Sequence, residues 1–270
     1  MDTEALAKLC ANMKLFAEEE TTVNIDGMAK EEGMRKTSLC LVGKLITSKL
    51  TNREAFRFLF AKIWRTKHAV EVEKMKENAY TFHFQNMMDR RRALLRGPWN
   101  FDNALLVMEV PKGYGDFSEM QFRWAKFWVQ VHNVPLMCMT RNVGLALGKN
   151  IGQVREIDVE ASGDCLGKFL RIRVAIDIQK PLKRVLQVKL EGMMEEKTLL
   201  LKYERLPEYC FCCGLLGHGF KECPGEKEES GPRANDEFRF GTWLRASSPG
   251  KTRTLGTQAM RPSHSTGTSD

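Results

Sequence analysis

The chain has 270 residues, a formal net charge of +8 at pH 7 and an isoelectric point near 9.1. Hydrophobic residues make up 43% and charged residues 28%, which is ordinary for a globular protein of one large or two small domains. No apolar run approaches the length of a membrane helix, and the first residues lack a basic segment followed by an apolar one. We therefore expect a nuclear or cytoplasmic protein that is not secreted and has no membrane partner.

The positive charge is unevenly distributed along the chain. Residues 53–96 contain 11 Lys or Arg against 5 Asp or Glu, and residues 166–189 contain 7 against 1. Residues 195–230 contain 5 against 8, so this stretch is acidic. The basic stretches are compatible with a polyanionic partner, but a solvated surface explains each of them equally well.

The first 111 residues predict a flexible arm followed by an α/β domain. Residues 1–36 are polar, with room for one short helix. Between residues 37 and 111 the order is strand, helix, strand, strand, helix, strand, and a capping box at Thr51–Glu54 opens the first helix. This βαββαβ order is typical of the ferredoxin-like fold, which includes the RNA-recognition (RRM) fold.

The rest of the chain predicts a β-rich region and a tail. Residues 112–207 contain several strand-like runs and one short helix, which form either an extension of the first domain or a second subdomain. Residues 208–225 hold a cysteine cluster. Residues 226–270 are rich in Gly, Ser, Thr, Pro and charge, and predict disorder except around residues 238–244. The predicted fold class is α+β.

The cysteine cluster is the strongest chemical signal in the sequence. Cys210, Cys213, His218 and Cys223 follow the spacing C-x2-C-x4-H-x4-C, which is that of a CCHC zinc knuckle. Three thiolates and one imidazole suit a tetrahedral zinc site, and a stretch this short needs a metal in order to fold. We predict that these four residues hold one structural Zn²⁺.

The loop between the ligands carries further predictions. Gly214 and Gly217 allow tight turns around the ion, where a side chain would be strained. Cys212 is a spare thiol that we expect to point outwards. Leu215 and Leu216 predict an exposed apolar tip, which suits either base stacking or a protein contact.

Aromatic and basic side chains are the candidates for contacting an unpaired base or a phosphate. In the knuckle these are Phe211, Phe220 and Lys221, because exposed aromatic rings stack on bases. In the two basic stretches the candidates are Arg90, Arg91, Arg92, Arg171 and Arg173. The three consecutive arginines fall on different faces of a helix, so a solvated surface explains them at least as well.

Three aromatic residues alternate onto one face of a predicted strand, namely Tyr80, Phe82 and Phe84. In RNA-recognition domains, exposed aromatics on the corresponding strand stack on bases. Three aromatics in register are nevertheless more commonly buried. We favour the buried arrangement, with Thr81 and His83 facing solvent.

Several stretches besides the cysteine cluster resemble a known family. They are residues 94–99 (LLRGPW), 127–135 (FWVQVHNVP), 151–154 (IGQV), 203–207 (YERLP) and 240–246 (FGTWLRA). The knuckle resembles that of retroviral nucleocapsid proteins, and the larger pattern resembles plant retrotransposon-derived proteins encoded by the first reading frame of LINE-type elements. Those proteins join a conserved α/β domain of unknown function to a CCHC knuckle. The resemblance implies binding of single-stranded nucleic acid, RNA rather than DNA, within a retroelement ribonucleoprotein.

The sequence argues against an enzyme. It contains no G-x-x-x-x-G-K-[ST], H-E-x-x-H or G-x-S-x-G motif and no Asp-Asp dipeptide, and four protein ligands leave no open position on the metal. A second hypothesis is an assembly protein whose α/β region self-associates or binds a partner, with the knuckle and the pair Trp124 and Trp128 contacting protein. Salt discriminates the two, because nucleic-acid binding weakens steeply with salt and an apolar contact does not.

Overall fold

The computed structural model describes residues 9–10, 13–14, 16, 19–76, 78–112, 119–160, 165, 167–189, 195–224 and 238–247. These residues form two β-sheets accompanied by α-helices, which confirms the predicted α+β class. Most of the tail predicted to be disordered, residues 226–237 and 248–270, lies outside the described residues. Within the described part, the helices are too short or too polar to cross a membrane.

The first sheet is built from the first half of the chain. The elements there are α1 (Gly27–Ser38), β1 (Cys40–Ile46), α2 (Arg53–Ile63), β2 (Glu71–Lys74), β3 (Ala79–His83), α3 (Met87–Leu95), β4 (Trp99–Phe101) and β5 (Ala104–Glu109). The strand order is β2-β3-β1-β5-β4, and β3 pairs antiparallel with both β1 and β2. Without β4 this is the order of a ferredoxin-like βαββαβ sheet, so the predicted topology is confirmed. The sequence did not predict β4, a three-residue edge strand.

The N-terminal cap of α2 differs from the prediction. Asn52 is the cap, and its side chain accepts hydrogen bonds from the backbone N–H groups of Glu54 and Ala55. Thr51 instead donates its hydroxyl to the side chain of Asn78 at 3.0 Å. The predicted capping box is therefore wrong in its cap residue, because Thr51 has a partner on a distant part of the chain.

An aromatic cluster fills the space between α2 and β3. The ring of Phe56 stacks on Tyr80 with centroids 4.1 Å apart, and Trp64 packs edge-on against Phe82 at 4.9 Å. The whole predicted aromatic row is buried, so its interpretation as core is confirmed. The expectation for the opposite face is wrong for Thr81, which is only 5% exposed. The centre of β3 is thus buried on both faces and presents no exposed stacking ring.

Helix α1 lies in the predicted N-terminal arm and is longer than the short helix expected there. It runs for 12 residues, and the side chain of Asp26 caps it by accepting a hydrogen bond from the N–H of Met28. None of the side chains of α1 is buried. The boundary between arm and domain at residues 36 and 37 stays a prediction.

The second sheet is built from the second half of the chain. Its region contains β6 (Trp124–His132), α4 (Arg141–Ile151), β7 (Gln153–Ile157), β8 (Leu170–Asp177), β9 (Val185–Lys189), β10 (Glu196–Glu204) and β11 (Arg245–Ala246). The strand order is β11-β10-β6-β8-β7, with β9 paired to β10. Every pairing is antiparallel except that of β10 with β11. A strand from beyond the cysteine cluster therefore joins the strands that precede the cluster.

The two faces of this sheet differ in character. On one face Phe127 and Ile172 are fully buried, and α4 packs there through Gly148, where an added Cβ would lie 3.1 Å from the side chain of Ile172. The register then places the intervening residues of β6 and β8 on the opposite face. That face carries Trp128, Gln130, Arg171 and Arg173.

The chain divides into two compact units. The first comprises residues 1–45, 49–96 and 107–122, and the second comprises residues 46–48, 97–106 and 123–270. The cysteine cluster therefore shares a compact unit with the second sheet. The predicted boundaries at residues 111 and 207 stay predictions.

The glycine after α4 provides a test of this packing. A Cβ at Gly152 would lie 2.4 Å from the carbonyl oxygen of Ala175 on β8. We predict that Gly152→Ala lowers the free energy of unfolding by about 1–3 kcal/mol, because backbone must move to accept the methyl group. Urea denaturation followed by tryptophan fluorescence measures this, since four of the five tryptophans belong to the second unit.

Gly33→Ala is the matched control. Gly33 lies in α1, and an added Cβ there meets no atom within 4 Å. It should leave stability unchanged or raise it by up to about 1 kcal/mol through helix propensity. Equal effects of the two substitutions would contradict the packing of α4 described here.

Candidate metal centre and nucleic-acid interface

A reversing loop after β10 brings the four predicted ligands together. Tyr209 and Leu216 form an isolated antiparallel bridge that closes the loop. Gly214 and Gly217 have φ angles of +75° and +96°, in the left-handed region that glycine adopts without strain. The predicted role of both glycines as turn residues is confirmed.

The potential ligand atoms of Cys210, Cys213, His218 and Cys223 all lie within 4.8 Å of one another. Cys213 Sγ is 3.4 Å from His218 Nε2. In a tetrahedral zinc site the usual bond lengths place a sulfur and a nitrogen ligand about 3.6 Å apart. The four side chains therefore fit a tetrahedral ion. Two of the thiols are buried and the other two ligands are half-buried, so protein surrounds much of the site.

The donor atoms of the cluster suit a zinc ion, which must displace protons from the thiols when it binds. Burial and the neighbouring Cys210 thiol raise the pKa of Cys213 to about 11. The thiolate form therefore needs a cation to be stable near neutral pH. Three soft sulfur donors and one imidazole select Zn²⁺ over hard cations. Cys212 is exposed, as the sequence predicted for a thiol that is not a ligand.

The loop packs against other parts of its compact unit. The N–H of Leu182, in the connection between β8 and β9, donates to the carbonyl of Gly214 at 3.0 Å. Leu216 is 7% exposed, while Leu215 is half-buried. The predicted exposed apolar tip is therefore wrong for Leu216, because that side chain joins a core that the loop sequence alone does not reveal.

The segment Phe238–Ser247, called the clasp below, returns to the loop from the C-terminal side. The ring of Phe240 lies against Gly214, where an added Cβ would come within 2.2 Å of Phe240 Cζ. The N–H of Phe240 also donates to the carbonyl of Phe211 at 3.1 Å. The clasp includes residues 238–244, the part of the tail that the sequence did not predict to be disordered.

The second half of the clasp is fixed to the end of β10. Tyr209 Oη donates to the carbonyl of Gly241 at 2.6 Å, and Arg245 Nη2 donates to the carbonyl of Pro207 at 3.1 Å. Leu244 is fully buried, and the next two residues form β11 beside β10. The loop is thus held between the strand that precedes it and the strand that follows it.

Phe211 and Phe220, the two rings predicted to contact a base, both pack against a third ring, that of Phe238. Phe220 is 44% exposed and packs edge-on against Phe238, with centroids 4.9 Å apart. Phe238 is 47% exposed and lies 6.2 Å from the half-buried Phe211. Lys221, next in sequence, is also exposed. The sequence did not predict that Phe238 belongs to this group. The only feature of the sequence that pointed to Phe238 was its alternation with Phe240. The roles of Phe211, Phe220 and Lys221 in binding stay predictions.

The three consecutive arginines of α3 lie in different environments, as their helical spacing indicated. Arg90 is buried, and its Nε donates to the carbonyl of Cys40 at 3.0 Å. Arg92 Nη1 lies 3.1 Å from Asp89 Oδ1. Arg91 has an exposed side chain. The three therefore do not form one phosphate-binding group, and a contact through any one of them stays a prediction.

Arg171 lies at the centre of a network on the polar face of the second sheet. Its guanidinium donates two hydrogen bonds of 2.8 Å to the buried carboxylate of Glu204 and one of 2.9 Å to Asp158. The same group lies 3.9 Å over the ring of Trp128. Arg173 donates to the carbonyl of Gly97 at 3.2 Å. These partners give Arg171 a structural function, and its predicted contact with nucleic acid, like that of Arg173, stays a prediction.

Together the fold and the cluster define an α+β protein with a CCHC metal centre set in its second compact unit. Residues 33–110 match a family model described as "Domain of unknown function (DUF4283)", and residues 176–225 match one described as "Zinc knuckle". The chain thus carries a domain of unknown function followed by a zinc knuckle. The clasp lies outside both matched regions.

A search of curated proteins returns no match. Among solved structures, the chain is similar to the N-terminal three RNA binding domains of the yeast splicing factor Prp24. The similarity has 13% sequence identity, covers 73% of this chain and 76% of the other, and has a TM-score of 0.23.

The adjacent thiols Cys212 and Cys213 allow a matched test of the metal centre. We predict that Cys213→Ser leaves zinc far below one ion per chain after dialysis, because a neutral hydroxyl replaces a thiolate ligand. Cys212→Ser should retain about one ion per chain, since Cys212 is not one of the four grouped ligands. Metal analysis and the absorption of the Co²⁺-substituted protein measure both. Equal metal content in the two variants would contradict the ligand assignment.

Arg171 and Arg91 form a second matched pair. We predict that Arg171→Ala lowers the free energy of unfolding at pH 7 by about 1–3 kcal/mol, because it removes the main hydrogen-bond donor to a buried carboxylate. Arg91→Ala should change it by less than about 0.5 kcal/mol, since that side chain is exposed. Urea denaturation measures both.

The effect of Arg171→Ala should depend on pH. Burial acts to raise the pKa of Glu204, but hydrogen bonds from Arg171 and Gln130, together with the positive charges of Arg171 and Arg205, lower that pKa below its ordinary 4.5. A carboxyl group with a lowered folded-state pKa stabilises the fold above pH 4.5, and this stabilisation is lost as the pH falls through the folded-state value. The difference between wild type and Arg171→Ala should therefore shrink below pH 4. A constant difference from pH 7 to pH 3 would mean that the carboxylate is not involved.

Proposed function

We propose that this protein is a zinc-dependent single-stranded nucleic-acid-binding protein that prefers RNA to DNA. The observation that carries the proposal is the convergence of Cys210, Cys213, His218 and Cys223 beside exposed aromatic rings. Exposed aromatic rings are natural stacking surfaces for unpaired bases, whatever the base sequence. A basic α/β platform, with the positive excess of residues 53–96 and 166–189, supplies the attraction for phosphate, and the zinc knuckle supplies the base-stacking surface.

In this proposal the metal is structural. When bound, the ion fixes the turn and replaces the core that the short loop lacks. Cys210 and Cys213 hold the first half of the loop, and His218 and Cys223 hold the second half. Their side chains provide four ligands, which leaves no position for a reactive water, so the protein acts by binding and is not an enzyme. The chain's own rings and cations then contact the nucleic acid.

We also propose a biological setting. The protein is a component of a retroelement-derived ribonucleoprotein of plant origin, working in the nucleus or cytoplasm. Support comes from the order of a domain of unknown function and a zinc knuckle, together with stretches such as residues 94–99 and 240–246. Association with nucleic acid in either compartment requires no membrane contact.

Assembly through protein contacts is the second candidate. The observation in its favour is the exposure of two adjacent apolar side chains after β6, Leu136 at 75% and Met137 at 78%. Adjacent exposed apolar residues are typical of interaction surfaces when they form part of a larger patch. The burial of Leu216 and the stacking of Arg171 on Trp128 reduce the apolar surface that this hypothesis first relied on.

Fluorescence anisotropy with a short labelled single-stranded RNA tests the proposal. The zinc-loaded full chain should bind, and with about four phosphate contacts its affinity should fall roughly 50-fold between 50 and 200 mM salt. The double variant His218→Ala, Cys223→Ser should bind about 5- to 150-fold more weakly, because the stacking surface is lost. Cys212→Ser is the control and should bind like wild type.

The same oligonucleotide as DNA tests the preference for RNA. Absence of binding to either nucleic acid at low salt would overturn the function proposed here. Salt-independent self-association, measured by light scattering, would then support the assembly alternative.

A further inference from the structure

The knuckle sequence has the wrong charge for binding phosphate by itself. Residues 208–224 contain Glu208 and Glu222 but only Lys221 as a basic residue. Three thiolates, a neutral imidazole and Zn²⁺ together add one further negative charge. An isolated loop of this composition repels a phosphate backbone, so its cations must come from elsewhere.

Two other segments bring cations to the loop. Residues 180–184 touch it through the hydrogen bond from Leu182 to Gly214, and the clasp touches it through Phe240. These two segments contain no acidic residue and five basic ones, namely Lys180, Lys183, Arg184, Arg239 and Arg245. The segments also contact each other, because Arg184 Nη1 donates to the carbonyl of Arg239 at 2.7 Å. These two segments therefore add five positive charges beside an acidic loop.

The clasp also completes the aromatic surface. Phe220 and Phe238 are exposed to nearly the same extent, and their planes meet at 74°. Two rings at this angle form a corner in which a planar base can stack on one ring and touch the edge of the other. Arg239 follows Phe238 directly and is exposed. Base and phosphate contacts are thus available side by side.

Clasp docking depends on the turned loop. The ring of Phe240 occupies the position that a side chain at Gly214 would take. It can lie there only while Gly214 holds its left-handed turn between the ligands Cys213 and His218. The docking site of Phe240 therefore lies within the metal-binding loop itself.

We propose that the clasp is a working part of the nucleic-acid-binding surface, in which Phe238 pairs with Phe220 to stack an unpaired base and Arg239 contacts the adjoining phosphate. This inference rests on the function proposed above and assigns the binding surface to residues beyond the knuckle. The positive charge of this surface indicates that its partner is negatively charged. A surface of exposed rings bordered by arginines fits a single-stranded polyanion with accessible bases.

The test uses the zinc-loaded full chain and the same labelled RNA. Phe238→Leu keeps an apolar side chain against Phe220 but removes the aromatic face, so Kd should rise about 5- to 150-fold. Phe238→Trp restores a ring and should bind within about threefold of wild type. Phe58→Ala is the matched control, because Phe58 is 74% exposed on α2 and has no part in the proposed surface.

Arg239→Gln tests the phosphate contact separately. The plot of log affinity against log salt should become less steep by about 0.7, as expected for one fewer phosphate contact on a single strand. Metal content and thermal unfolding of each variant show that the knuckle and fold remain intact.

The outcomes separate this inference from the function on which it rests. Wild-type binding that depends on His218 and Cys223, with Phe238→Leu and Arg239→Gln both unchanged, would overturn the role of the clasp and leave the proposed function in place. Absence of RNA and DNA binding by the wild type would overturn both. Loss of binding in Phe238→Leu with recovery in Phe238→Trp supports the clasp, because a general packing defect does not require an aromatic ring.

Discussion

The turn at Gly214 is the constraint on which the C-terminal half of the structure depends. Its φ of +75° is a conformation that other residues adopt only with strain. The turn brings Cys213 round towards the remaining ligands, and its carbonyl accepts the hydrogen bond from Leu182. Because Gly214 has no side chain, the ring of Phe240 fills the space beside its α-carbon. Metal coordination, docking of the loop and closure of the clasp therefore all require the same backbone conformation.

A basic composition is not the same as a basic surface, and the arginines of this chain illustrate the difference. Arg90 is buried against a backbone carbonyl, and Arg171 is hydrogen-bonded to Glu204 and stacked on Trp128. Both contribute to the net charge, but their donors are already used within the fold. Arg91 and Arg239 are exposed, so each of them attracts a polyanion more strongly than an arginine that is buried or ion-paired. Burial and ion pairing decide which of the charges act at long range.

Much of the fold could be predicted because its signals are local. Alternation and helical spacing located the strands of both sheets except the short strands β4 and β11, and the cysteine spacing located the ligand cluster. The errors have a common cause in contacts between distant residues. Thr51 lost its capping role to a partner at Asn78, and Leu216 is buried by segments outside the loop. The place of Phe238 beside Phe220 depends on a chain reversal that no local pattern encodes.

The position of β11 explains why the knuckle and the second sheet belong to one unit. β11 lies parallel to β10, the strand that leads into the metal loop, so the chain leaves the sheet, forms the loop and returns to the same edge. A parallel return needs a long connection, and this one contains the knuckle. The ends of that connection are held by the sheet, which reduces the conformational freedom that the metal must overcome. Conversely, the metal fixes the loop on which the clasp rests. The charge at the proposed binding surface therefore follows from the folding of the whole unit rather than from the knuckle motif.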